Sequence, residues 1–105
     1  MARVFVDARN VLRSQWPNVP EDELVRRCVD WAQRHGHELV LVFDGQAPSG
    51  GTGTGAESAD DWLIREVPRH PGAWLVTSDR ALREAAGGNA ARLVGGGGFL
   101  KELEK

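Results

Sequence analysis

Four short apolar runs punctuate the chain, and each gives way to a polar, helix-compatible stretch. Arg3-Val4-Phe5-Val6 is β-branched and aromatic and stops at Asp7, which predicts a strand. Leu39-Val40-Leu41-Val42-Phe43 is apolar at every position and closes on Asp44-Gly45. A strand with no polar alternation is buried on both faces, the mark of a parallel sheet covered by helices. Ala73-Trp74-Leu75-Val76 is a third run, ended by Thr77-Ser78-Asp79. Ala90-Ala91-Arg92-Leu93-Val94 is a weaker fourth, because alanine is a poor strand former.

Between these runs the period changes to that of a helix. Ala8 to Leu12 has room for one or two turns before the breaker Trp16-Pro17-Asn18-Val19-Pro20. Asn18, Pro20 and Glu21 form a helix-start signature. Leu24, Val25, Cys28, Val29 and Ala32 then recur at helical spacing up to the stop at Gly36. Ser58, with Asp61 three residues on, caps a helix that carries Ala59, Trp62, Leu63 and Val67 and ends at Pro68. Arg80 to Ala86 is a short helix stopped by Gly87-Gly88, and Phe99 to Glu104 makes a last turn or two. Gly45 to Ala56 holds five glycines and reads as a loop. The alternation predicts a doubly wound, Rossmann-like three-layer α/β domain with right-handed crossovers and a mainly parallel sheet of about four strands. Residues 1–105 read as one domain.

Composition narrows the class. A chain of 105 residues buries roughly 65% of its extended surface, enough for one core and too little for two. The lone Cys28 leaves no internal disulfide and no cysteine-based zinc cage. No apolar run approaches the ~20 residues of a membrane span, and Met1-Ala2-Arg3 leads straight into a strand. The expectation is a cytoplasmic protein with no membrane partner. A net charge of −2 gives no hint of nucleic acid. Arginine supplies 11 of the 13 basic side chains; it is the better bidentate phosphate partner, but a GC-rich genome produces the same bias, and that is the preferred explanation.

Candidate chemistry gathers where the strands stop. Three of the four end in an aspartate: Asp7, Asp44 and Asp79. Open α/β sheets bind ligands outside the carboxyl ends of their strands, and Asp60-Asp61 opens a helix that can run beside the same edge. Singly, each acid has an ordinary role: Asp7 and Asp79 as helix caps, Asp44-Gly45 as a turn pair, Asp60 and Asp61 at the positive end of a helix dipole. Together they repel and raise one another's pKa unless a cation intervenes. Hard oxygen ligands suit Mg²⁺ or Mn²⁺, and a carboxylate-held divalent ion is the apparatus of phosphodiester hydrolysis.

Four segments also carry a resemblance. Val4-Phe5-Val6-Asp7-Ala8-Arg9-Asn10-Val11 resembles the opening "hhhDGYNhh" of the NYN family, in its YacP-like branch within the PIN-like nucleases. Val40-Leu41-Val42-Phe43-Asp44-Gly45 resembles that family's second acidic strand. Ser58-Ala59-Asp60-Asp61-Trp62-Leu63 resembles its "xADxxI" helix start, and Val76-Thr77-Ser78-Asp79-Arg80-Ala81-Leu82 its "hTSDxxh" segment. The segments occur in the family's order. The resemblance implies a PIN-like fold and a metal-dependent endoribonuclease that cleaves single-stranded RNA by metal-activated water. By it, Asp7, Asp44, Asp60 and Asp79 hold Mg²⁺ or Mn²⁺, with Asp61 in reserve. Asn10, one helical turn from Asp7, binds a metal-held water or the scissile phosphate, and Ser78 orients a neighbouring carboxylate. Ribosome association and a homodimer are further partner expectations. The sequence departs from the motif at Ala8-Arg9, where the family has Gly-Tyr, and this bears on substrate choice more than on the metal site.

The remaining features weigh as follows. Arg9, Arg13, Arg69 and Arg80 are phosphate-binding candidates, Arg9 and Arg80 standing next to acids in sequence; solvated surface arginine is the even alternative. Gly50 to Gly55 lacks a P-loop's Gly-Lys-Ser/Thr ending, so a mobile loop that admits a strand is preferred to nucleotide cradling. Trp31, Trp62 and Trp74 fall on core-facing positions. Trp16 is expected to cover the core rather than stack on a base. His35, His37 and His70 read as surface histidines. The alternative function is a non-catalytic RNA- or protein-binding module that retains the fold. A receiver-type phosphate-transfer domain is disfavoured, because no strand ends in paired acids and no lysine directly follows a late strand.

Overall fold

In the computed structural model, all 105 residues are described. Strand β1 (Arg3–Asp7) runs into a short helix α1 (Ala8–Arg13) and then the long α2 (Glu21–His35). Next come β2 (Glu38–Phe43), β3 (Thr52–Gly53), α3 (Ala59–Glu66) with a 3₁₀ turn (Val67–Arg69), and β4 (Trp74–Val76). The chain finishes with α4 (Arg80–Ala86), β5 (Arg92–Val94) and α5 (Gly96–Leu103). All pairings are parallel, in the order β3-β2-β1-β4-β5. No helix is long and apolar enough to cross a membrane.

Burial on both faces follows from the strand sequences. Val4 and Val6 of β1, Leu41 and Phe43 of β2, Val76 and Val94 pack with α1, α2 and α5 on one side. Phe5, Val42 and Leu75 point the other way, onto Ala59, Leu63, Val67, Leu82 and Ala86. Trp31 is the largest fully buried side chain and meets Phe99 edge to face. At about 25 cal/mol per Å² of apolar surface, such aromatics dominate the core's stabilisation. The helix α2 ends as its sequence predicts, with Gly36 in the left-handed conformation at φ 70°.

Several expectations are corrected. The sheet has five strands, because Thr52–Gly53, inside the expected loop, pairs with β2. Gly53 is required there: a Cβ on it would lie 2.4 Å from the Gly45 carbonyl oxygen. Thr54 ties the segment down further, its hydroxyl donating to the Glu57 carbonyl at 2.6 Å and accepting from Gly45 N–H at 3.2 Å. The glycine run 96–98 is helical, so α5 starts before Phe99; its docking on α1 overrides glycine's poor helix propensity. Pro20, not Asn18, occupies the N-cap of α2, and Glu21, Asp22 and Glu23 supply the negative charge that the helix dipole favours. The Asn18 amide instead faces the carbonyls of Leu12 and Gln15.

Trp16 does not cover the core: it is 87% exposed. His37 and His70 are half-buried rather than loose on the surface. His37 accepts from the Ala2 N–H at 3.1 Å and lies against Trp74, while His70 takes a hydrogen bond from Arg3.

The topology sets where a site falls. From β1 the chain first builds outward through β2 and β3, then crosses over to build β4 and β5 on the other side. The switch point lies between β1 and β4, where open α/β sheets bind ligands.

Candidate active site

Register brings the acids together. Asp7, the last residue of β1, pairs with Val42, so Asp44 lies two residues farther along the neighbouring strand. On the other side Val6 pairs with Val76, which carries Thr77 alongside Asp7. Asp60 arrives from the first turn of α3, and Asp79 from the start of α4. The four carboxylates line one cleft of about 220 Å³ with Arg9, Asn10, Arg13 and Ser58, and no apolar side chain lines it.

Each acid is held differently. Asp7 is only 6% exposed, and it occupies the N-cap position of α1 without capping the helix through its side chain. Its Oδ2 accepts the Thr77 hydroxyl at 3.1 Å. Burial pushes the Asp7 carboxyl above its ordinary range; the Thr77 hydrogen bond opposes this, and the charges of Asp60 and Asp44 add to it. The Asp60 carboxylate has no hydrogen bond within the chain. Its carboxyl is also raised, by desolvation first and then by Asp79, Asp44 and Asp61.

Asp44 does more than make a turn. Its Oδ1 accepts from the Ala59 N–H at 2.9 Å, and its Oδ2 faces Arg9 Nε at 3.6 Å. Asp79 combines both expected roles: it caps α4 through Leu82 N–H at 3.0 Å and lines the cleft.

The other candidates separate into two groups. Arg9, Asn10 and Arg13 on α1 line the cleft. Asn10 Oδ1 accepts from the Ser78 N–H at 2.8 Å, and its side-chain nitrogen has no partner within the chain. Ser78, Arg80 and Asp61 do not line it. The Ser78 hydroxyl accepts from Gly96 N–H at 2.9 Å, so the hydroxyl that reaches a site carboxylate is that of Thr77. The Asp61 N–H donates to Ser58 Oγ, the helix-cap role read from its spacing. Arg69 pairs with Glu66. Thr77 and Ser58 were not singled out from the sequence as site residues; a buried hydroxyl directly after a strand, two residues before an acid, was the available signal.

No three acidic, histidine or cysteine side chains are grouped closely enough to hold a metal ion as they stand. The donor set nevertheless fits a hard divalent cation in kind: its carboxylates offer only oxygen, and burial first, with the neighbouring acids adding to it, raises Asp7 and Asp60. Of the four, Asp44 is already engaged, by Arg9 and the α3 backbone.

Fold and site edge together define the class: a Rossmann-like three-layer α/β protein with an acid-lined cleft at the carboxyl edge of its sheet. No family model and no curated protein matches the sequence. Two crystal structures of Rae1 (YacP) from Bacillus subtilis are similar in fold. A point mutant of Rae1 superposes with a TM-score of 0.80 at 21% identity, covering 99% of this chain and 76% of that one. The second Rae1 structure gives a TM-score of 0.75 at 18% identity, covering 99% and 74%.

Proposed function

We propose that this chain is a metal-dependent endoribonuclease acting on single-stranded RNA. The observation that carries the reading is the meeting of Asp7, Asp44, Asp60 and Asp79, from four separate segments, in one cleft with no apolar lining. The likeness in fold to Rae1 (YacP) and the NYN-like motifs support it. Mg²⁺ or Mn²⁺, held by those four carboxylates, would activate the attacking water and neutralise charge on the phosphate. Asp7 is fixed for that task by Thr77, and Asp79 by its cap on α4. Arg9 and Arg13 lie at the cleft to take phosphate oxygens. The free side-chain nitrogen of Asn10 donates to the substrate, while its oxygen keeps the Ser78 loop in place.

Sorting the charges by position fits an anionic substrate better than the bulk value does. Four of the 15 acids are these aspartates, and the other 11 stand against 13 bases, a balance of +2.

A non-catalytic RNA-binding module is the second reading, favoured by the Arg9–Asp44 ion pair, which engages one of the four carboxylates. Incubating the chain with a mixed single-stranded RNA pool and Mn²⁺ separates the two. Cleavage that disappears in Asp79→Asn supports the nuclease, since asparagine keeps the α4 cap and removes the charge. RNA binding with no metal-dependent cleavage supports the module.

A further inference from the structure

We propose that the pocket between the C-terminal end of α1 and the first turns of α5 is a second nucleotide subsite for the same RNA strand. This rests on the nuclease reading, which it extends from the scissile phosphate to a neighbouring nucleotide. The pocket measures about 500 Å³, within the range of sites that enclose a small ligand. Ser14, Gln15 and Lys101 line it, with Gly97 and Gly98 as part of its wall.

Helix α1 and the residues after it join the two sites. Arg9, Asn10 and Arg13 face the acidic cleft, and Ser14 and Gln15, next in the chain, line the pocket. The seam between the sites is tight: Gly96 packs so closely on α1 that a Cβ there would lie 2.0 Å from Ser14 Oγ and 3.1 Å from Asn10 Oδ1. Consecutive residues of one segment thus serve both sites, which gives a single strand a route from the cleft to the pocket.

Charge and chemistry select the ligand. Eight basic side chains, including Arg26, Arg27 and Arg34 on α2, are in ion pairs. Arg13 at the cleft and Lys101 at the pocket have no partner within the chain. Glu104 also lines the pocket, so the site carries no net charge and a bare anion gains little there. A nucleotide matches the mixed set: one phosphate for Lys101, and polar base and sugar edges for Gln15, Ser14 and Glu104. Leu100 is the single apolar residue of the lining, which suits an apolar peptide poorly. Trp16, directly after Gln15, is 87% exposed and presents an indole on which a base can stack.

The test is fluorescence anisotropy of a labelled single-stranded RNA of about eight nucleotides with the full chain in metal-free buffer. Trp16→Ala and Lys101→Glu alter exposed side chains, and circular dichroism verifies that both variants fold. Each is expected to weaken binding about ten-fold. The Lys101→Glu loss shrinks as salt rises, and the Trp16→Ala loss persists. Wild-type affinity in both variants overturns the subsite; no RNA binding by the wild type overturns it as well. Cleavage with Mn²⁺ is read separately. Weakened binding in the variants, with no cleavage by the wild type, sustains the subsite and overturns the nuclease reading alone.

Discussion

Thr77 donates its buried hydroxyl to Asp7 at 3.1 Å, although 70 residues separate them, and the same oxygen accepts the Asp79 N–H at 3.1 Å. One side chain thus ties together two of the acids at the switch point of the sheet. Thr77→Val keeps the volume and deletes both bonds, leaving Asp7 buried with one partner fewer. We expect a loss of about 1–3 kcal/mol in urea unfolding and a fall in Mn²⁺-dependent cleavage of roughly 10²-fold. Thr77→Ser should retain most of both. A valine variant as stable and as active as the wild type would show that the hydroxyl organises nothing.

The raised Asp7 carboxyl has a defined sign in the pH dependence of stability. The folded chain holds this proton more tightly than the unfolded chain does. The associated stabilisation is complete below the ordinary value of 3.8 and is lost as pH rises through the higher folded-state value. At neutral pH the ionised Asp7 therefore weakens the fold. Asp7→Asn removes the charge, while its amide oxygen still accepts from Thr77. Its unfolding free energy at pH 7 should exceed the wild type's, and the difference should vanish toward pH 3. Cleavage by this variant should be abolished.

The four carboxylates gathered in the cleft make the fold responsive to cations. A divalent ion that binds only the folded chain stabilises it by about 2.7 kcal/mol at a hundred times its dissociation constant. The melting temperature should rise with added Mn²⁺, and the rise should be absent in Asp7→Asn and Asp79→Asn. Equal shifts in all three proteins would place the binding elsewhere on the surface.

Arg9 competes for one of those carboxylates. Its ion pair with Asp44 is long, at 3.6 Å, and partly exposed, so it contributes at most about 1 kcal/mol. Removing it should release Asp44 toward the cleft and cost the substrate one phosphate contact. Arg9→Ala is expected to tighten Mn²⁺ binding by up to about five-fold in calorimetric titration and to raise the KM for RNA. Weaker Mn²⁺ binding in this variant would mean that Arg9 positions Asp44 instead of sequestering it.

Much of this architecture is legible in the sequence because it is written in local patterns. The fully apolar run Leu39–Phe43 required cover on both faces, and the structure supplies it with α1, α2 and α5 on one side and α3 and α4 on the other. Aspartates at the ends of three strands pointed to one sheet edge, and Asp7, Asp44 and Asp79 line a single cleft with Asp60. What stayed hidden depends on contacts distant in sequence. Strand β3 exists because Gly53 can approach the Gly45 carbonyl, which a glycine-rich stretch does not reveal. Ser78, expected to orient a carboxylate, instead meets Gly96, and the hydroxyl on Asp7 is that of Thr77, because adjacent residues at a strand end face opposite ways.

That docking makes Gly96 the most constrained glycine of the helix it begins. Alanine there gains up to about 1 kcal/mol in helix propensity, but its Cβ would stand 2.0 Å from Ser14 Oγ and 3.1 Å from Ser14 Cβ. Overpacking of this kind costs about 1–3 kcal/mol, so Gly96→Ala should be destabilising overall. It should also slow cleavage, because Asn10 Oδ1 lies 3.1 Å from the new atom and holds the Ser78 loop. Ser14→Ala removes the closest clash at the expense of a hydrogen bond from Ser14 Oγ to the Asn10 carbonyl, 2.7 Å long. In a double-mutant cycle by urea unfolding, the pair should therefore be more stable than the sum of its parts by at least about 0.5 kcal/mol. Gly97→Ala and Gly98→Ala are the contrast: a Cβ at either position meets nothing within 4 Å, so each should stabilise the fold by up to about 1 kcal/mol. Additive effects of Gly96→Ala and Ser14→Ala would refute the tight seam between α1 and α5.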